Sequence, residues 1–222
     1  MATSTIDTDT ELSAVNSILG SIGQSPITSL GNVSSTTTTD SSGVTTTINS
    51  YENPEISFIY NILTEVNKDV QNEGWHFNTE YHVKVTPDAN KNVTLPPKTL
   101  RYDFYDQSNN KTKDVVIRDG KLYDLVSHTN EFTGDVYLDV VTLYAFTDLP
   151  NPFQRYITYR AAARAATQLV SNPQLVQLLQ QQESQARATC MEYECNQGDH
   201  NYFGFAHKTN YRSYKPTAVL AR

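Results

Sequence analysis

Residues 11–30 read ELSAVNSILGSIGQSPITSL, and the fold turns on where this stretch docks. Leu12, Val15, Ile18, Leu19 and Ile22 recur at helical spacing, and Thr8 and Glu11 stand where a capping box would place them. Gly23 ends the helix and a proline turn follows at Pro26. A helix with a single apolar stripe lies on a core. Its stripe is expected to pack against helices from the other end of the chain.

Those helices are legible. Asn151 and Pro152 pair a cap with a first-turn proline, and the run FQRYITYRAAARAATQLV (153–170) has the alanine and arginine content of a helix packed closely on one side. Pro173 starts a last helix running to Gly198, with Leu175, Leu178, Leu179, Ala186, Cys190 and Tyr193 as its inner face. Nearer the N-terminus, Asn53 caps a helix with Pro54 in its first turn; Ile56, Ile59, Tyr60, Leu63, Val66 and Val70 form its stripe, and Gly74 closes it. The single tryptophan follows at once in GWHFN (74–78), where Trp75 reads as an anchor between helix and sheet, with ligand stacking as the second reading.

Between these helices the period becomes that of strands, at 81–85, 100–105, 115–117, 121–125 and 136–146, with Asp119 and Gly120 as a two-residue hairpin turn. Pro87, Pro96 and Pro97 mark loops or edges. The expected class is α+β: a helical bundle formed from both chain ends, with a small antiparallel β-sheet domain inserted between helices 2 and 3. Residues 1–75 and 151–198 supply the two halves of the bundle, 76–150 the β region and 199–222 an extended tail. Residues 32–50, NVSSTTTTDSSGVTTTINS, cannot build core; they form a loop or, with threonines arranged about DSSG, a hairpin.

With 222 residues, 38% of them hydrophobic, the chain can bury one sizeable core or two small ones. No apolar run approaches a membrane span, and MATSTIDTDT has neither the basic start nor the apolar stretch of a signal peptide, so synthesis in the cytoplasm is expected. The net charge of -7 is uneven: residues 1–75 carry nine acids against Lys68, whereas residues 199–222 set Asp199 against Lys208, Arg212, Lys215 and Arg222. Solvated surfaces of different sign, or ends that meet different partners, account for it.

The sequence lacks a glycine-rich phosphate loop, a nucleophile elbow and a zinc-protease motif. Asp103, Asp106, Asp119 and Asp124 fall in strands and turns without a second catalytic group at a recognisable spacing. No catalytic residue, cofactor or enzymatic activity is expected. Cys190 and Cys195 point well apart around one helix, which disfavours a disulfide, and adding His200 and His207 fits no usual zinc pattern. Both cysteines read as buried or half-buried core residues, and no metal is expected.

The tail places Tyr202, Phe203, Phe205, Tyr211, Arg212, Tyr214 and Lys215 close together. Such residues anchor well in a protein groove. They can also stack bases and grip phosphates, although so few positive charges give only modest phosphate affinity. A tail folded over its own subunit is the third reading.

Taken in order, ELSAVNSILGSIGQSPITSL, GWHFN, PFQRYITYRAAARAA and ESQARATCMEYECNQGDHNYF resemble the tail tubular protein A family of short-tailed phages, the adaptor or gatekeeper between portal and tail nozzle. The resemblance implies a structural virion protein made in the host cytoplasm and built into the tail. It implies a homo-oligomeric ring of twelve below the portal, with the nozzle beneath, forming part of the DNA ejection channel through which DNA passes without specific binding. It places the helices at subunit and portal contacts and the sheet region toward other tail components. The 32–50 segment and the long tail depart from the family pattern; the first suits a contact with a tail fibre, the second an arm on the portal. A nucleic-acid-binding accessory protein using the tail is the alternative, and a tail-associated hydrolase ranks behind it.

Overall fold

The computed structural model describes residues 10–30, 34–39, 45–50, 54–105, 113–170 and 172–198, with backbone alone for 34–39 and 45–50. The elements are α1 (Glu11–Ser21), β1 (Ser34–Thr39), β2 (Thr45–Ser50), α2 (Pro54–Asn72), β3 (Thr79–Val85), β4 (Thr99–Phe104), β5 (Val115–Arg118), β6 (Lys121–Asp124), β7 (Val136–Thr142), α3 (Asn151–Leu169) and α4 (Pro173–Gln197). This is the α+β arrangement expected, with antiparallel strands between the second and third helices. The caps at Thr8 and Asn53 fall outside the described residues.

Helix α3 is the centre of the bundle, with α1, α2 and α4 each packed against it. Its alanines at 161, 162, 163, 165 and 166 are all buried, and side chains this small allow neighbouring helices to approach from more than one side. Helix α1 docks through Ala14, Val15, Ile18 and Leu19, so the first helix does meet the C-terminal half. Its cap is Thr10, whose hydroxyl oxygen accepts from the Ser13 amide at 3.2 Å, and not Thr8. At its other end the Gln24 amide donates to the Leu19 carbonyl at 2.9 Å and the Gly23 amide to that of Gly20 at 3.2 Å, a Schellman closure. The chain then returns along the helix. The Asn16 carboxamide donates to the Ile27 carbonyl at 3.0 Å and accepts from the Ile27 amide at 2.8 Å.

Helix α2 buries Ile59, Ile62, Leu63, Val66 and Val70, while Ile56 and Tyr60 are half-buried. Helix α4 buries Leu179 and Cys190 and half-buries Leu175, Ala186 and Tyr193. Leu178, expected on the inner face, is 59% exposed. A helix that packs chiefly on one neighbour has a narrow buried stripe, and Leu178, turned about 100° from Leu179, falls outside it. Helix α3 also begins one residue earlier than its sequence suggests. Asn151 is its first helical residue and makes no capping bond, because the Pro150 carbonyl already accepts from Phe153 at 2.9 Å.

The strands form separate sheets rather than one. Strands β3, β7 and β4 make a three-stranded antiparallel sheet with β7 central, while β5 and β6 pair across Asp119 and Gly120, both at positive φ as a tight two-residue turn requires. Val93, Leu122, Phe132, Val136, Leu138 and Val140 fill the core between them. The last strand stops at Thr142 instead of reaching Phe146, and residues 146–148 wind into a 3₁₀ turn. Strands β1 and β2 pair antiparallel, from Ser34 opposite Ser50 to Thr39 opposite Thr45, the pairing that the hairpin alternative calls for.

Ile18, fully buried between α1 and its neighbours, tests the docking directly. Ile18→Ala is expected to cost about 2–5 kcal/mol in chemical denaturation, the range for a truncated core aliphatic. A loss under about 1 kcal/mol would mean that α1 contributes little to the bundle.

Candidate assembly surface

The bundle is joined to the three-stranded sheet by two buried side-chain amides. Gln71, near the end of α2, accepts from the Tyr144 amide at 2.8 Å and donates to the Tyr144 carbonyl at 3.0 Å. Asn78 donates to the Gln71 carbonyl at 2.8 Å and accepts from the Trp75 amide at 2.8 Å. Both residues are fully buried, so each bond satisfies a group that would cost about 1–3 kcal/mol if orphaned. Trp75 is the anchor its position suggests: its indole donates to the Val70 carbonyl at 2.7 Å, and its ring meets Phe153 edge-on at 4.8 Å. Phe77 lies 4.7 Å from the same Phe153 ring, and Tyr193 of α4 meets it at 6.0 Å. Gly74 has φ +81°, and a β-carbon there would sit 2.5 Å from the Arg101 guanidinium of β4.

Charge ties α4 to this junction. Glu73 bonds Arg187 at 3.0 Å and Arg160 at 3.3 Å, and both guanidinium groups donate to the Tyr156 hydroxyl. The Glu73 carboxylate, then the Tyr156 hydroxyl, raises the affinity of Arg187 for its proton. Glu194 of α4 accepts from the His76 amide at 2.8 Å. On the α2 side, Arg164 of α3 bonds Glu65 at 2.6 Å and lies 4.0 Å from Asp69.

The outer side of α3 carries a different feature. Arg155 and Tyr159, one helical turn apart, are exposed and form a ridge with a cleft on each side. The cleft toward α4 has a volume of about 320 Å³ and is lined by Gln182, Gln185 and Thr189; the cleft toward α1 has about 390 Å³ and is lined by Ser13, Ser17 and Thr158. Arg155 and Tyr159 line both. Apart from Arg155 these clefts are uncharged, and among the described residues Arg155 has no ion-pair partner. Sequence reasoning missed this ridge, although its signal was present: two large polar side chains at i and i+4 in an alanine-rich helix.

The interface residues expected from sequence, Tyr202, Phe203, Phe205, Tyr211, Arg212, Tyr214 and Lys215, lie outside the described residues, as do His200, His207 and Asp106. The cysteines differ from each other. Cys190 is buried and its thiol donates to the Pro152 carbonyl at 3.2 Å, whereas Cys195, expected at least half-buried, is exposed because it follows the helix onto its outer side. Asp103 accepts from the neighbouring Phe104 amide at 2.9 Å, and Asp119 forms the β5–β6 turn. Asp124 is buried. Burial alone would raise its pKa, but hydrogen bonds from Val126 and Ser127 hold it below the usual carboxylate value. Among the described residues no three His, Cys, Asp or Glu side chains gather as a metal site.

The architecture is an α+β chain in which satisfied polar groups lock a helical bundle to a sheet, with open clefts on the surface of the bundle. The sequence model of the tail tubular protein family matches residues 41–200, most of the chain. The chain belongs to the tail tubular protein family and is a structural protein of the bacteriophage tail. The matched span holds GWHFN and the motifs of α3 and α4, while the opening helix and residues 201–222 lie beyond it. A comparison with curated proteins gives no match.

Two measurements probe this geometry. Glu73→Ala removes the carboxylate shared by two arginines that are 33% and 47% exposed, and is expected to cost about 1 kcal/mol, a fall of ~2–4 °C in Tm; an unchanged Tm would show that the network adds nothing. Burial pushes the Cys190 thiol up to about 12, so a thiol reagent at pH 8 should modify Cys195 quickly and Cys190 only as the chain unfolds. Rapid labelling of both would contradict the packing of α4.

Proposed function

We propose that this chain is the adaptor of a short-tailed phage, a ring of twelve copies that joins the portal above to the tail nozzle below and forms part of the channel for DNA ejection. The observation that carries the reading is the family match over residues 41–200 on an α+β chain whose helical bundle draws on both of its ends. In this reading the helices serve subunit and portal contacts, and the sheet region faces the other tail components, with the β1–β2 hairpin available to a fibre. The aromatic and basic residues from Tyr202 to Lys215 serve as an arm on the portal or on a neighbouring subunit.

A ring gives the acidic balance a use. Twelve copies multiply a formal charge of -7 each, and a negative channel wall repels DNA phosphates, so the duplex slides without adhering. The reading requires neither an active site nor a bound cofactor.

The decisive measurement is particle mass with and without the portal. Portal addition should yield one species heavier by twelve chains, and the free protein should show no salt-steep affinity for duplex DNA. Tight DNA binding that collapses with salt, without ring formation on the portal, would favour a nucleic-acid-binding accessory protein instead. Deletion of residues 204–222 should weaken portal capture; full capture by the truncated chain would remove the arm from the proposal.

A further inference from the structure

We propose that the Arg155–Tyr159 ridge of one copy seats the outer face of α2 of a neighbouring copy, and that this pair of surfaces is the head-to-tail contact of the assembly. The inference rests on the ring reading above and names the surfaces that would build it.

Geometry sets the two surfaces apart. Arg164 follows Arg155 by nine residues, and at about 100° per residue that is two full turns and a half. Arg164 reaches α2, at Glu65 and Asp69, so α2 lies across α3 from the ridge. Glu65 and Asp69 are 58% and 59% exposed, and Phe58 on the same helix is 39% exposed, so this face of α2 looks outward on the side away from Arg155. Two different surfaces on opposite sides of a subunit make a heterologous contact, the kind that closes rings. A two-fold contact of the ridge with itself would instead set Arg155 against Arg155.

The chemistry matches. Glu65 and Asp69 share a single guanidinium, that of Arg164, and carboxylate oxygens accept more than one hydrogen bond. Arg155 is a cation with no partner among the described residues and stands beside an exposed tyrosine, the pairing enriched at protein interfaces. The flanking clefts have room for side chains of an incoming helix, and Phe58 is the large apolar one that α2 presents. Within a single copy, α3 and α2 already associate through the same chemistry, Arg164 with Glu65.

The test uses full-length protein assembled with its portal. In a Cys195→Ser background, Arg155→Cys combined with Glu65→Cys should oxidise to a ladder of covalent multimers, while either single cysteine gives no ladder. Arg155→Glu should lower ring yield about 10-fold, and adding Glu65→Arg should restore it, since reversing both charges recreates the pair. Circular dichroism of each variant should match the parent; melts of the Arg155 variants should match it too, and those of the Glu65 variants should fall by no more than ~2–4 °C, for the loss of the exposed Arg164 pair. Wild-type rings with no ladder and no rescue by the double reversal would overturn the assignment and leave the ring reading standing. Failure of the wild type to form rings on the portal would defeat the ring reading, and this contact with it.

Discussion

A helix packed by three others must offer small side chains on more than one side, and α3 satisfies that demand with five buried alanines between residues 161 and 166. The rest of the bundle depends on it. Among the described elements, helix α1 packs chiefly on α3, its packing on α2 being slight beside that, and α4 reaches the core mainly through α3. Placing a leucine where Ala161 or Ala165 stands would separate axes that now lie close, at the usual cost of overpacking. Arg160 and Arg164 of the same helix sit at the borders of the alanine surface, where their heads stay partly solvated while bonding Glu65 of α2, Glu73 just past it and Glu183 of α4.

The second dependency is the amide junction. Gln71 pairs with both backbone polar groups of Tyr144, and Asn78 links the end of α2 to the first residue after Gly74, so the orientation of sheet to bundle is fixed by directional bonds. Apolar packing alone would tolerate sliding. The aromatic cluster of Trp75, Phe77, Phe153 and Tyr193 supplies bulk around those bonds and draws on α3, α4 and the turn that leads into the sheet. Movement at this point would break bonds to buried groups, so the junction holds sheet and bundle in one orientation.

Helix identity, strand order and the anchoring tryptophan were legible because each has a local cause: spacing of apolar residues, prolines at first turns, a glycine past the helix end. What escaped had causes remote in sequence. The last strand ends at Thr142 because Gln71, 73 residues away from Tyr144, takes the backbone bonds of that residue. Ile62 and Gln71 belong to the buried side of α2, and a polar Gln in a core stripe cannot be distinguished from a surface Gln without its partner. Helical spacing places Leu178 on the inner face of α4 and residue type makes Cys195 at least half-buried, yet only the number of helices touching α4 sets how wide its buried stripe is. The surface ridge was hidden for a related reason: Arg155 and Arg164 look alike in sequence, and only the position of α2 shows that Arg164 is engaged while Arg155 has no ion-pair partner among the described residues.

The character of that surface bears on assembly. A subunit made for an obligate partner buries an apolar interface, and exposing it beforehand invites aggregation. Here the clefts beside Arg155 are lined with Gln, Ser and Thr, groups that water satisfies as readily as a partner does. A contact built from such groups and one charge pair is weak for any single pair of copies. Within a closed ring, however, each copy makes two such contacts, and a template that holds neighbours together raises their effective concentration far above that in solution. Weak, polar and directional contacts are therefore compatible with a subunit that stays dispersed until a template gathers it, whereas a large apolar seam would drive association wherever the chain is made.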